Sequence, residues 1–438
     1  MGTVGVGQRR FPRLALGDAL LRNVMTVASG TAVSQAIAMA FTPLITRIYG
    51  PDAVGLHGVF TSVVLPLGAI GALGYPIATV LPKEDRDALG LVRLSLFVGA
   101  ATTLIAFSCL YFFGSHLFAA LNASAIGAFV FLVPLAMFFA VLSDTLRHWL
   151  IRKQAYGVIA RYGALSTLLQ NVIKAGFGFL YPSALVLVVT STFGGLIGTA
   201  LTYLGWRRKV SPDDEHVEQA LDRHRLTTLA KQHSDFPLLR TPQNLINISS
   251  RSLPLLLLAG HFGPGAAGQY TIAMAVLAAP AMLIGGAVHA AFYPRINEAI
   301  VAGEKATGLI LKSTAAMLIV GALPFLTVMV AGPVLFEIVF GGEWRTAGVY
   351  SQWLSLWLWF GFANRPAVSA IPSLRLQGFL LVHEIASVAL RLAGLYMGFR
   401  LVGDPVWGIA GFSIVGALLN GWLIAYVIRA SARKEAAE

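Results

Sequence analysis

Apolar runs long enough to cross a bilayer recur along the whole 438-residue chain, and no soluble core could absorb them. About 20 mostly apolar residues span the hydrocarbon layer as an α-helix. Composition agrees, with 56% hydrophobic and 12% charged residues, against roughly 25% charged in a soluble domain. Backbone groups in lipid must bond within their own segment, which selects helices over strands of about ten alternating residues. The chain therefore reads as an all-α polytopic membrane protein with about twelve transmembrane helices. They are expected near 24–47, 54–81, 90–113, 123–143, 160–180 and 184–205, then 241–260, 267–293, 307–331, 347–371, 377–400 and 405–428. The first run follows Arg9, Arg10, Arg13 and Arg22, yet is too long and too polar for a signal-peptide core, so it reads as an uncleaved helix.

Charge placement orients the spans. Lys and Arg number 32 and Asp and Glu 20, a surplus of +12 that would suggest nucleic acid in a soluble protein. Here twenty-five of the 32 basic residues fall in the tails and loops of one side, and only Arg47, Arg345 and Arg400 on the other. Cytoplasmic loops hold such an excess, so both termini are expected in the cytoplasm and no nucleic-acid partner is needed. The divisions that follow are a basic tail (1–23), a six-helix lobe (24–205), a cytoplasmic linker (206–240), a second six-helix lobe (241–428) and a short tail (429–438). Within the linker, Ser211-Pro212-Asp213-Asp214-Glu215 has the form of a helix start. Cys109 has no second thiol and no His/Cys cluster near it, so it is expected to pack, and neither metal nor cofactor is expected.

The chain repeats itself. Tyr49-Gly50-Pro51-Asp52-Ala53-Val54-Gly55 matches Phe262-Gly263-Pro264-Gly265-Ala266-Ala267-Gly268 at four of seven positions. Pro43 and Pro254 precede these motifs, Pro66 and Pro280 follow, and Pro82 and Pro294 come next, at similar spacing. Each repeat holds an even number of spans, so the copies are parallel and related by an axis along the membrane normal. Two such bundles with a cleft between them describe a transporter that exposes a midplane site to either side in turn.

Four basic residues lie within spans: Lys174, Arg251, Arg365 and Arg391. An ionised group at mid-depth costs at least about 2.5 kcal/mol on insertion scales, so each is a functional candidate. Of the acids, Glu384 is the best intramembrane exception, and carboxylates cannot neutralise all four bases. A cleft with unpaired guanidinium and ammonium groups favours an anion, and Arg matches phosphate through its planar, bidentate fork. Gln170 beside Lys174, and Asn247 on the approach to Arg251, are placed to bind hydroxyl-rich cargo, although such groups also bond helix to helix. Trp353, Trp357 and Trp359 suit either sugar faces or lipid packing, and His261, His289 and His383 are isolated.

Pro43-Leu44-Ile45-Thr46-Arg47-Ile48-Tyr49-Gly50-Pro51, with Gly55 and Ala78-Thr79-Val80-Leu81-Pro82, resembles the bacterial oligosaccharide flippase family. Thr241-Pro242-Gln243-Asn244, Pro254, Phe262-Gly263-Pro264 and Tyr293-Pro294-Arg295 resemble it too, so the likeness covers most of 24–300. It implies a fold similar to the multidrug and toxin extrusion (MATE) transporters. The implied cargo is a polyprenyl diphosphate-linked oligosaccharide, carried from the cytoplasmic to the outer leaflet of the bacterial inner membrane for surface polysaccharide (O-antigen) assembly. It further implies a basic cleft, to which Arg47 is added as a base inside a matched motif, contact with membrane lipid, and a polysaccharide polymerase as a partner to be tested.

Two rivals define what to look for. A cation-coupled exporter of the same fold would need carboxylates in the membrane. An integral enzyme acting on lipid-linked sugars would need catalytic carboxylates or a large outer loop, and neither constellation is apparent.

Overall fold

The computed structural model describes residues 13–122, 127, 129–208, 223–301 and 306–437, with backbone alone for 13–24, 223–224, 279–301 and 437. Among the described residues thirteen α-helices follow one another: α1 (Arg13–Gly71), α2 (Tyr75–Ala78), α3 (Asp85–Ala120), α4 (Leu132–Arg152), α5 (Tyr156–Leu180), α6 (Ala184–Arg207), α7 (Arg223–Gln232), α8 (Thr241–Val301), α9 (Ala306–Phe340), α10 (Arg345–Ala363), α11 (Arg365–Ala370), α12 (Gln377–Val402) and α13 (Pro405–Ala437). By length and composition alone, six of the described helices qualify to cross a membrane. The chain is a multi-pass membrane protein. Its two faces are distinguished below as the tail face, where α1 begins and α13 ends, and the far face.

α1 and α8 are each two spans joined at a corner. Gly50 (φ 68°, ψ 172°) breaks α1 and Gly263 (φ 83°, ψ 178°) breaks α8. That backbone suits glycine, and the following Pro51 and Pro264 each start the next arm at a position where a missing N–H costs nothing. With the corners counted, the twelve expected spans are present in two halves of six, duplicated as the motif repeat implies.

Three expectations need correction. The fourth span lies at Leu132–Arg152 rather than 123–143, so Arg147 and Arg152 sit on its last turns and not in a loop. Apolar residues continue on both sides of that boundary, and hydropathy cannot choose between them. The tenth span divides after Ala363 into α10 and α11, because Pro366 cannot donate to the preceding turn. Cys109 is exposed on α3 rather than packed. The Ser211–Glu215 helix start lies outside the described residues.

The main core fills the far half between the two six-helix sets, from Tyr49, Val54 and Phe60 to Tyr270, Trp344, Tyr350 and Phe399. There the second arms of α1 and α8 meet at backbone distance. A Cβ on Gly55 would collide with the Pro264 carbonyl oxygen, and one on Gly268 with that of Pro51. Side chains complete the closure: the Arg47 guanidinium donates to the carbonyls of Ile338 (3.0 Å) and Val339 (3.2 Å), Trp344 Nε1 to that of Thr46 (3.1 Å), and Asn122 Nδ2 to that of Gly260 (2.7 Å).

At the tail face a clamp belongs to the first half. Arg152 and Lys153 both bond Asp85, and Arg152 also reaches the carbonyls of Thr79 and Pro82. Arg225 of α7 pairs with Asp87 at 2.6 Å, and Leu229 packs with Tyr75 and Leu91. α7 is thereby docked on α2 and α3.

Candidate substrate cavity

In the tail half the two sets of helices part around a cavity of about 1290 Å³. Its lining starts at Gly74–Ile77 and Arg240–Asn244 near the tail face and ends at mid-depth around Pro254, Tyr270 and Arg391. The residues of the far-face corners take no part in it. The wall from the first half is smooth and apolar (Val64, Leu65, Gly68, Ala69, Ala140, Val141) with one charge, Asp144. The opposite wall, from α8 and α10 to α13, carries Arg251, Arg365, Arg391, Asn247, Asn364, Asn420 and Glu384.

Each arginine reaches the cavity for a local reason. Arg251 lies on the first arm of α8, which runs along the opening. Arg365 begins α11 at the break before Pro366. Arg391 on α12 lies over the rings of Trp357 (5.0 Å) and Phe412 (5.2 Å), and its Nε donates to the Ser387 carbonyl at 3.0 Å. Gly416 leaves room for this cradle, since a Cβ there would press on Trp357 and on the Arg391 side chain. The rings and Nε hold the guanidinium in plane, and its terminal nitrogens are left for a ligand. Arg251 is within electrostatic range of both Arg365 and Arg391. None of these three has a carboxylate within ion-pair distance among the described residues. Asn364 Nδ2 donates to Asn420 Oδ1 at 2.8 Å nearby.

Of the residues singled out in the sequence, Arg251, Arg365, Arg391 and Asn247 are brought together. Lys174, Gln170 and Arg47 are not. Lys174 stands in the first half near half-buried His57, and its carbonyl accepts from the Tyr49 hydroxyl at 2.6 Å. Gln170 joins α5 to α6 by donating to the Gly194 carbonyl and the Ser166 hydroxyl. Arg47 belongs to the far-face closure. Trp357 supports Arg391, whereas Trp359 Nε1 bonds the Leu318 carbonyl and Trp353 lies against Trp407. His383 is buried beside Ser387, His261 packs among Tyr396 and Phe399, and the His289 side chain lies outside those described. Arg240, Asp144 and the Asn364–Asn420 pair are cavity residues that sequence reading missed. Asn420 had a usable signal, being an amide within an apolar run.

Two parallel six-span halves around a basic cavity that opens at one face define a membrane protein with a transporter fold. Solved structures agree on that fold. An inward-facing multidrug-resistance transporter of the MATE family in the MOP superfamily superposes with a TM-score of 0.68 at 12% identity, covering 91% of this chain and 95% of its own. A MATE transporter in complex with MaL6 gives 0.56 at 13% identity (95% and 96% covered), and a point mutant of the Vibrio cholerae MATE transporter VcmN gives 0.54 at 14% (96% and 98%). No curated protein sequence matches the chain. The family model for polysaccharide biosynthesis protein matches residues 44–348, and the chain belongs to that family.

Proposed function

We propose that this protein is a flippase for an anionic polyprenyl diphosphate-linked oligosaccharide, carrying it from the cytoplasmic to the outer leaflet by alternating access. The observation that carries the reading is the convergence of Arg251, Arg365 and Arg391 on one cavity, with no carboxylate at ion-pair distance among the described residues. Guanidinium forks bind the diphosphate, and the amides of Asn247, Asn364 and Asn420 face the sugars. The tail face is cytoplasmic, in a bacterial inner membrane, so the cavity is open to the compartment where the cargo is made. Residues 24–205 and 241–428 act as the rocking lobes, with 206–240 as their linker. No covalent bond is made or broken, and the chain is not an enzyme.

A seam between the halves supports a lipid path. A hollow of about 480 Å³ is lined by Met39 and Pro43 of α1, Val276 of α8 and Phe336 and Phe340 of α9. The polyprenyl chain lies along such apolar surface while the head group crosses. A cationic-drug exporter fits less well, because the described cavity lining has four guanidiniums (Arg240 included) and two carboxylates.

Flipping of a fluorescent lipid-linked oligosaccharide in proteoliposomes tests the proposal. Arg251→Ala and Arg391→Ala should each slow it at least about tenfold, the loss of one charge-assisted hydrogen bond or more. Undiminished flipping in both would remove the basic cavity from the mechanism.

A further inference from the structure

The loaded cavity has its charge compensated by cargo, but the emptied one has to close again. Its described lining carries Arg240, Arg251, Arg365 and Arg391 against Asp144 and Glu384. Asp144 stands on the first-half wall with its carboxylate 3.3 Å from His148 Nδ1, and Glu384 makes no ion pair among the described residues. Should closing bring both carboxylates onto arginines, two guanidiniums would still be shut into a low-dielectric space. An ionised group is costly there, and unpaired charge is not buried without a partner.

We propose that the emptied carrier closes around a small inorganic anion held by these same guanidiniums, so that outward passage of the lipid-linked sugar is exchanged for inward passage of an anion. This rests on the flippase reading above. Three features suit the cavity to such a ligand. Arg391 is pre-positioned by Trp357, Phe412 and the Ser387 carbonyl, with its terminal nitrogens free. Arg251, Arg365 and Arg391 all line the one cavity, which places the three around one volume. The amides Asn247, Asn364 and Asn420 add donors in the same wall. Inorganic phosphate fits best, since a guanidinium fork takes two of its oxygens at once, and it reproduces the part of the cargo that these groups hold.

The purified full-length protein is reconstituted with radiolabelled phosphate inside the vesicles, and efflux is started by unlabelled phosphate, chloride or gluconate outside. External phosphate should accelerate efflux at least about tenfold over gluconate, and the double variant Arg251→Gln/Arg391→Gln, checked for native elution and helicity, should lose the acceleration. Acceleration by chloride as well also supports exchange. Efflux indifferent to phosphate and chloride alike overturns the proposal. In a second arm, lipid-linked oligosaccharide flipping is followed with only gluconate facing the far face, where it should stop near one turnover per protein and resume on adding phosphate. Sustained flipping in gluconate overturns the exchange and leaves the flippase reading intact. Phosphate exchange without flipping under any condition has the opposite meaning: the anion site stands and the cargo assignment falls.

Discussion

A methyl group on Gly55 would run into the Pro264 carbonyl oxygen, and one on Gly268 into that of Pro51. Each clash is with backbone, which cannot rotate aside. Gly55→Ala or Gly268→Ala should therefore force the two corners apart, at a cost of about 1–3 kcal/mol typical of overpacking, read as a lower melting temperature of the detergent-solubilised protein. Gly163→Ala is the matched control. Nothing lies within 4 Å of a Cβ at Gly163 in α5, so the substitution should be neutral or gain up to about 1 kcal/mol of helix stability. Equal losses at the two sites would refute the close-approach argument. The cavity arginines were legible because a charge inside an apolar run stands out whatever its neighbours. Which charges share a cavity was not legible: the spans are apolar on most faces, so periodicity does not say where Lys174 and Gln170 point. Asp144 and Arg240 escaped for the complementary reason, since a charge near a helix end looks like a loop charge until the helix is known to line an opening.

Between helices, the tail-face clamp turns on one carboxylate. The hydrogen bond from Lys153, and then that from Arg152, holds the Asp85 carboxyl below its ordinary value, against the opposing effect of partial burial. A depressed folded-state value means that the clamp contributes fully above the unfolded value of about 3.9, and that its contribution is lost as pH falls through the lower folded value. Asp85→Asn should accordingly lower the melting temperature at pH 7, and the gap from the parent should close only below about pH 4. The loss should be small, about 0.5–1 kcal/mol, because the Asp85 side chain is 41% exposed. A gap that stays constant down to pH 2 would exclude Asp85 ionisation as its source. The same elements show where sequence reading of the fold runs out. Corners at Gly50 and Gly263 are marked by glycine followed by proline, whereas the start of α4 follows apolar residues and carries no such mark.

Across the whole molecule, closure at the far face and opening at the tail face are parts of one arrangement, and alternating access requires the far-face contacts to separate. Those contacts are numerous but individually modest: carbonyls accepting from Arg47, Trp344 and Asn122, and the crossing of Gly55 and Gly268. Neutral or exposed hydrogen bonds of this kind contribute about 0.5–1.5 kcal/mol each, which a bound cargo can offset. A covalent bond at the same place cannot be offset. A Cβ on Gly265 would lie 2.9 Å from Oδ1 and 3.8 Å from Cγ of Asp52, so a sulfur standing where that Cγ does would be within reach of a cysteine side chain at position 265. Asp52→Cys/Gly265→Cys in a Cys109→Ser background should oxidise readily, lock the far face and abolish lipid-linked oligosaccharide flipping, with full recovery on reduction. Binding of cargo from the tail face should survive the lock, because the cavity arginines are untouched. Undiminished flipping by the fully oxidised protein would mean that the far face need not open, and alternating access by these two sets of helices would have to be abandoned.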